Sequence, residues 1–99
     1  MKKPLKIKFY SDYGHGWAAV KLALLQDLGI LDKVTAYSYY RGLSAYLEED
    51  CDLSLLISTL KAANIEYEIV VSKSNPASSP IRSYDSIVNS LAYKLAKGV

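Results

Sequence analysis

The chain has 99 residues, 51% of them apolar and 22% charged, with a formal net charge of +2. That length allows one domain with a small core, and that balance excludes a disordered chain or a coiled coil. The charge is too weak to announce nucleic acid by itself, and it has the wrong sign for a DNA mimic.

The single cysteine, Cys51, rules out an intramolecular disulfide and a multi-cysteine zinc site. A reducing compartment fits. The opening MKKPLKIKF is too short and interrupted for a signal peptide, and no run approaches a membrane span. The expected location is a bacterial host cytoplasm.

The elements follow in chain order. Leu5, Ile7 and Phe9 alternate with Lys6, Lys8 and Tyr10, which predicts a strand with one buried face. Ser11 to Gly16 is turn chemistry. Residues 17–28 are good helix formers except at the front, where WAAV (17–20) reads either as a short strand or as the first helical turn. Gly29 closes that helix, with Ile30 placed to touch Leu25 as in a Schellman cap. Residues 34–40, VTAYSYY, are β-rich. Arg41-Gly42 signals a tight turn, and LSAYLE resumes the strand pattern.

Asp50 or Asp52 is placed to cap a second helix, with Leu53, Leu56, Ile57 and Leu60 as its apolar stripe. Asn64 and Ile65 repeat the Gly29-Ile30 ending, and EYEIVV is a fourth strand. The Ser/Pro-rich stretch 72–80 reads as a linker. After it, Tyr84, Ile87 or Val88, Leu91 and Leu95 share a helical face.

This order predicts an α+β, ferredoxin-like βαββαβ fold with a four-stranded antiparallel sheet. A helix is added at the C-terminus. The alternative is ββαββαβ, with 17–20 as a strand. The expected division is a core at 1–71, a linker at 72–80 and a terminal helix at 81–99. That helix packs on the core or exchanges into a second copy, so a homodimer is among the expected partners.

The open sheet face should carry Tyr10, Tyr37, Tyr39 and Tyr46 with Lys6 and Lys8. Nine tyrosines in the chain make that face aromatic and basic. Bases stack on such rings and lysines follow phosphates. However, the RNA-module signature fails in RGLSAYLE, where Leu43 stands at the aromatic position. Tyrosine also serves in cross-strand packing and as an interface anchor.

His15 lies in a turn near Asp12 and Tyr13, without a positioned partner in sequence, and reads as a surface or capping residue. Asp12, His15 and the acidic run Glu48, Glu49, Asp50 and Asp52 are the residues a metal-dependent hydrolase would use. Their spacing matches no metal motif, and acids at that place are expected for helix capping. No Walker loop, dinucleotide fingerprint or nucleophile elbow is present. The expectation is therefore no catalytic residue, no metal and no cofactor, and a structural Cys51.

Three stretches, YSDYGHGW at 10–17, SYYRGLSAYLEEDCD at 38–52 and IRSYDS at 81–86, together resemble a family of short proteins. Phages, prophages and other mobile elements carry these proteins. Members share GHGW, a Ser-Tyr-X-Arg-Gly turn and YLEEDCD. This chain has Tyr40 where the family pattern has Gln, and Ala19 where it has a basic residue. The resemblance implies an accessory protein that acts on host or competitor machinery by binding and blocking. Restriction and CRISPR nucleases are examples of such targets.

The expected partner-binding residues are Tyr37, Tyr39 and Tyr46 as anchors, Glu48, Glu49 and Asp50 as charges for a basic partner, and Tyr13 and His15 at the edge. The alternative nucleic-acid face is Lys6, Lys8, Tyr10 and Arg41.

Overall fold

The computed structural model describes residues 3–72, 74–75 and 77–98. Lys73 and Pro76 of the expected linker, and the ends of the expected first and last segments, lie outside the described residues. The fold is α+β, with a six-stranded mixed sheet in the order β5-β1-β2-β4-β3-β6. The strands are β1 (Leu5–Ser11), β2 (Gly16–Lys21), β3 (Tyr39–Arg41), β4 (Ser44–Glu48), β5 (Tyr67–Val71) and β6 (Asp85–Ser86). Three α-helices are α1 (Leu22–Asp27), α2 (Asp52–Ala62) and α3 (Leu91–Ala96).

The expected four-stranded antiparallel sheet is corrected in two ways. First, Trp17–Val20 is strand, as in the alternative ordering, so β1 turns straight into β2 and the helix waits until Leu22. The local reason is the side-chain alternation. Ala18 and Val20 enter the core while Trp17 and Lys21 face the other way, a period of two that a helix could not satisfy. Second, β1 lies between β2 and β5, and its pairing with β5 is parallel. The central strands are β2 and β4.

The core fills the space between one sheet face and the helices. Ile7, Ala18, Val20, Ala45 and Leu47 from the strands meet Leu22 and Leu25 of α1 and Leu56 and Leu60 of α2. Both predicted Schellman endings form. Gly29 has φ +73, Ile30 N–H donates to the Leu25 carbonyl at 3.0 Å, and Ile65 N–H donates to Leu60 at 2.9 Å behind Asn64.

Residues 34–38 are not strand. Asp52, the first residue of α2 and 2% exposed, accepts hydrogen bonds from Thr35 N–H at 3.1 Å and Thr35 Oγ1 at 2.8 Å. It also accepts one from Ser38 Oγ. The carboxylate thus curls the loop onto the helix start. Asp52 makes no capping bond to its own helix, and Glu48 Oε1 instead accepts the Cys51 N–H at 2.7 Å.

The stretch 72–80 is tied to β1. Ser72 N–H donates to Phe9 at 2.8 Å and Asn75 N–H to Ser11 at 2.9 Å. Beyond it, the expected long helix breaks into a 3-10 turn at Pro80–Ser83, β6, a second 3-10 turn at Ile87–Asn89, and α3. Ser90 accepts Tyr93 N–H and starts α3 late. Helix α3 packs beside α1 and the Leu31–Lys33 turn, on the helical side of the sheet, so it does not cover the tyrosine face. Among the described residues no helix is long and apolar enough to cross a membrane.

Two substitutions separate the core from the loop staple. Leu56→Ala should lower global stability by about 2–5 kcal/mol in urea unfolding. Asp52→Ala should cost about 1–3 kcal/mol for its orphaned donors and should speed hydrogen exchange at the Thr35 amide well before global unfolding.

Candidate functional site

The glycine-rich turn after β1 is organised by one carboxylate. Asp12 Oδ1 accepts the N–H groups of Gly14 and His15, both at 3.0 Å, while Asp12 N–H donates to the His15 carbonyl at 2.9 Å. From the far end of the chain, Ser79 N–H reaches Oδ2 at 2.9 Å. Arg82 closes a fork on the same carboxylate, with Nε at 2.5 Å from Oδ2 and Nη2 at 3.0 Å from Oδ1. The Asp12 side chain is fully covered. The Arg82 guanidinium holds its carboxyl well below the usual carboxylate range, with Ser79, Gly14 and His15 N–H groups adding to the effect against the opposing pull of burial. Gly16 has a steric role here. A Cβ on it would overlap the Phe9 ring and sit 3.0 Å from Glu49 Oε2.

The fork fixes Arg82 against aromatic rings. Its guanidinium carbon lies 4.9 Å from the Tyr13 ring centroid and 5.6 Å from that of Trp17. Trp17 is 2% exposed yet stands outside the main core cluster, as does buried Ile81. It is covered on the open side of the sheet. Tyr39 meets it edge-on at 6.4 Å and His15 lies at 6.2 Å. Together His15, Trp17, Tyr37, Tyr39, Glu48 and Arg82 line a cleft of about 140 Å³. Tyr13 and Tyr37 project beside it, 71% and 74% exposed.

The rest of the open face is a tyrosine ladder. Tyr46 contacts Tyr10 at 6.4 Å and Tyr84 at 5.2 Å, and the Arg41 guanidinium lies 5.2 Å from the Tyr84 ring. Burial pushes the Tyr46 phenol up, and the neighbouring Tyr84 and Tyr10 push it further, so it stays a neutral hydroxyl. At the opposite end, Lys6, Lys8 and Lys21 rim an open groove of about 650 Å³ whose floor includes Leu5, Ala19 and Leu24.

The structure therefore brings together Tyr13, His15, Tyr37, Tyr39 and Glu48 from the expected partner-binding set. Tyr46 sits one strand pair inward, opposite Tyr39. Glu49 and Asp50 are exposed just beyond Glu48. The alternative set divides. Lys6 and Lys8 share the far groove, Tyr10 stacks on Tyr46, and Arg41 is held by Tyr84.

Arg82 and Trp17 were not singled out by sequence pattern. IRSYDS was visible as a motif, but no local feature ties an arginine to an aspartate 70 positions away. Among the described residues, no group of three or more His, Cys, Asp and Glu is arranged to hold a metal ion. Asp12 is fully engaged by Arg82 and three peptide groups. His15 donates its backbone N–H to Asp12, and its imidazole lies against the Trp17 ring.

No protein-family model matches the chain, and comparison with curated proteins and with solved structures found no match.

The charge state of Asp12 gives a pH prediction. Its folded-state pKa lies below the ordinary 3.8. Its stabilising effect is therefore complete above that value and is lost as pH falls below it toward the folded-state pKa. Wild-type urea midpoints should drop as pH is lowered from about 4 toward about 2. Asp12→Asn should start lower and show a shallower drop, and equal slopes in the two proteins would remove Asp12 from this role.

Proposed function

We propose that this protein is a non-enzymatic accessory factor that binds a partner protein through the Trp17–Arg82 cleft and its tyrosine rim, and thereby blocks that partner. The observation that carries the reading is the pair Tyr13 and Tyr37. Both are more than two-thirds exposed, beside a cleft whose walls are locked in place from behind. Aromatic and arginine side chains dominate binding energy at protein interfaces. Rigid walls reduce the ordering cost of binding.

Charge sets the kind of partner. Asp12 neutralises Arg82, so the excess charge around the cleft comes from Glu48, Glu49 and Asp50. A basic surface is the complement, and nucleic-acid-cleaving enzymes carry such surfaces. A defence nuclease, of CRISPR or restriction type, is the target we favour. This choice also rests on the resemblance of YSDYGHGW, SYYRGLSAYLEEDCD and IRSYDS to proteins of phages and mobile elements.

A second reading has its own observation. Lys6, Lys8 and Lys21 on one groove, next to Tyr10, suit single-stranded RNA or DNA. Tyr10 and Tyr46 are partly covered by each other and by Tyr84, which limits stacking there.

Affinity capture from bacterial lysate, with and without nuclease treatment, decides between the two. A discrete protein that survives nuclease treatment is expected. Tyr37→Ala and Tyr39→Ala should each weaken its capture by about 30-fold, the scale of a 2 kcal/mol hot spot. Glu49→Lys should weaken it too, while Lys6→Ala with Lys8→Ala should leave it unchanged. Recovery of nucleic acid alone, lost on nuclease treatment and on the lysine substitutions, would reverse the assignment.

A further inference from the structure

The two edges of the sheet are built differently. At one edge β6 is two residues long, and a short edge resists unwanted pairing. At the other, β5 runs for five residues in unbroken register with β1, from Leu5↔Tyr67 to Phe9↔Val71. It has neither proline nor bulge. Ile69, Val70 and Val71 are 36%, 39% and 72% exposed. The Glu66 carbonyl accepts from Leu5 N–H, and Ser72 N–H donates to Phe9, so even-numbered positions turn their peptide groups toward β1. Those of Tyr67, Ile69 and Val71 then face outward, where no strand follows among the described residues.

We propose that this edge is a homodimer interface, in which β5 pairs antiparallel with β5 of a second copy about a two-fold axis at Ile69. In this register Ile69 exchanges both peptide hydrogen bonds with the partner's Ile69, and Tyr67 does so with the partner's Val71. Every outward group of the strand is then used.

The side chains agree with that register on both faces. On the helical face, one row runs Ile7, Ile69, the partner's Ile69, the partner's Ile7. The next runs Leu5, Tyr67, the partner's Val71, the partner's Phe9. Both rows are apolar throughout. On the open face, Glu68 stands between its own Lys6 and the partner's Val70, and no like charges meet. Moving the axis to Glu68 would set two carboxylates against each other. Moving it to Val70 would leave Tyr67 opposite a position past the end of the strand. The strand is its own complement, which favours a second copy over an unrelated strand. The cleft lies across β2, β3 and β4, so the pairing leaves both clefts open.

Light scattering and sedimentation on the full chain, from about 1 to about 500 μM, test the proposal. A reversible equilibrium between the 11.0 kDa chain and twice that mass is expected. Ile69→Pro removes an outward N–H without touching a bond to β1, and should raise the dimer dissociation constant at least ~10-fold. If that variant loses its circular dichroism signature, Val71→Lys at the most exposed position of the strand decides instead. A monomer at every concentration, a dimer unaffected in either folded variant, or assembly beyond two copies would overturn the proposal.

Discussion

The buried Asp12 carboxylate is the constraint on which the cleft depends. A carboxylate removed from water is costly unless charge and hydrogen bonds surround it. Here the donors come from the turn itself and from residues 67 and 70 positions further along the chain. Satisfying one acid therefore shapes the Asp12–His15 turn and draws the Ser79–Arg82 segment across the sheet. The burial of Trp17 and the placing of Arg82 beside Tyr13 follow from the same contact. Arg82 consequently presents a flat guanidinium face more than a free charge.

Asp52 repeats the device on the other side of the cleft. It binds Thr35 and Ser38, and Ser38 Oγ in turn accepts the Glu48 N–H at 2.9 Å. Tyr37 projects from the loop so formed, and Tyr39 follows at its exit. Two buried acids thus hold the two loops that supply the exposed tyrosines. In the tyrosine ladder, Tyr10 on β1 and Tyr46 on β4 are spaced by the strands, each pairing with β2, while Tyr84 joins them from beside β6.

Local chemistry made part of this legible. The alternation in Leu5–Tyr10 and Ser44–Glu48, the Arg41-Gly42 turn and the endings at Gly29 and Asn64 are each decided within a few residues. So is the apolar stripe of α2. The errors share one cause. Val34–Ser38 has strand-forming residues, but a carboxylate 17 positions away takes its peptide group. Trp17–Val20 suits either a strand or a helix, and neighbours β1 and β4 decide it. Residues 81–99 carry a helical stripe, yet β6 pairs with β3, and Ile81 and Ile87 are buried in turns instead. Residue type alone marked His15, Tyr37, Tyr39 and Glu48 among the side chains that line the cleft. It could not give Arg82, whose role exists only once Asp12 is beside it.

The parallel pairing of β1 with β5 bears on the order of assembly. Hairpins β1–β2 and β3–β4 join near neighbours, whereas β5 must return from beyond α2 before β1 gains its second partner. Contacts between distant parts of a chain close late and slowly. The Ser79–Arg82 segment comes later still in the chain and is laid on the β1–β2 turn and Trp17, which must already be in place. On the ribosome, a nascent chain that has released β1 to β4 holds most of its hydrophobic core and no cleft. The cleft is therefore a property of the finished molecule: a chain that stops before Arg82 carries Asp12 and Trp17 but lacks the side chain that closes over both.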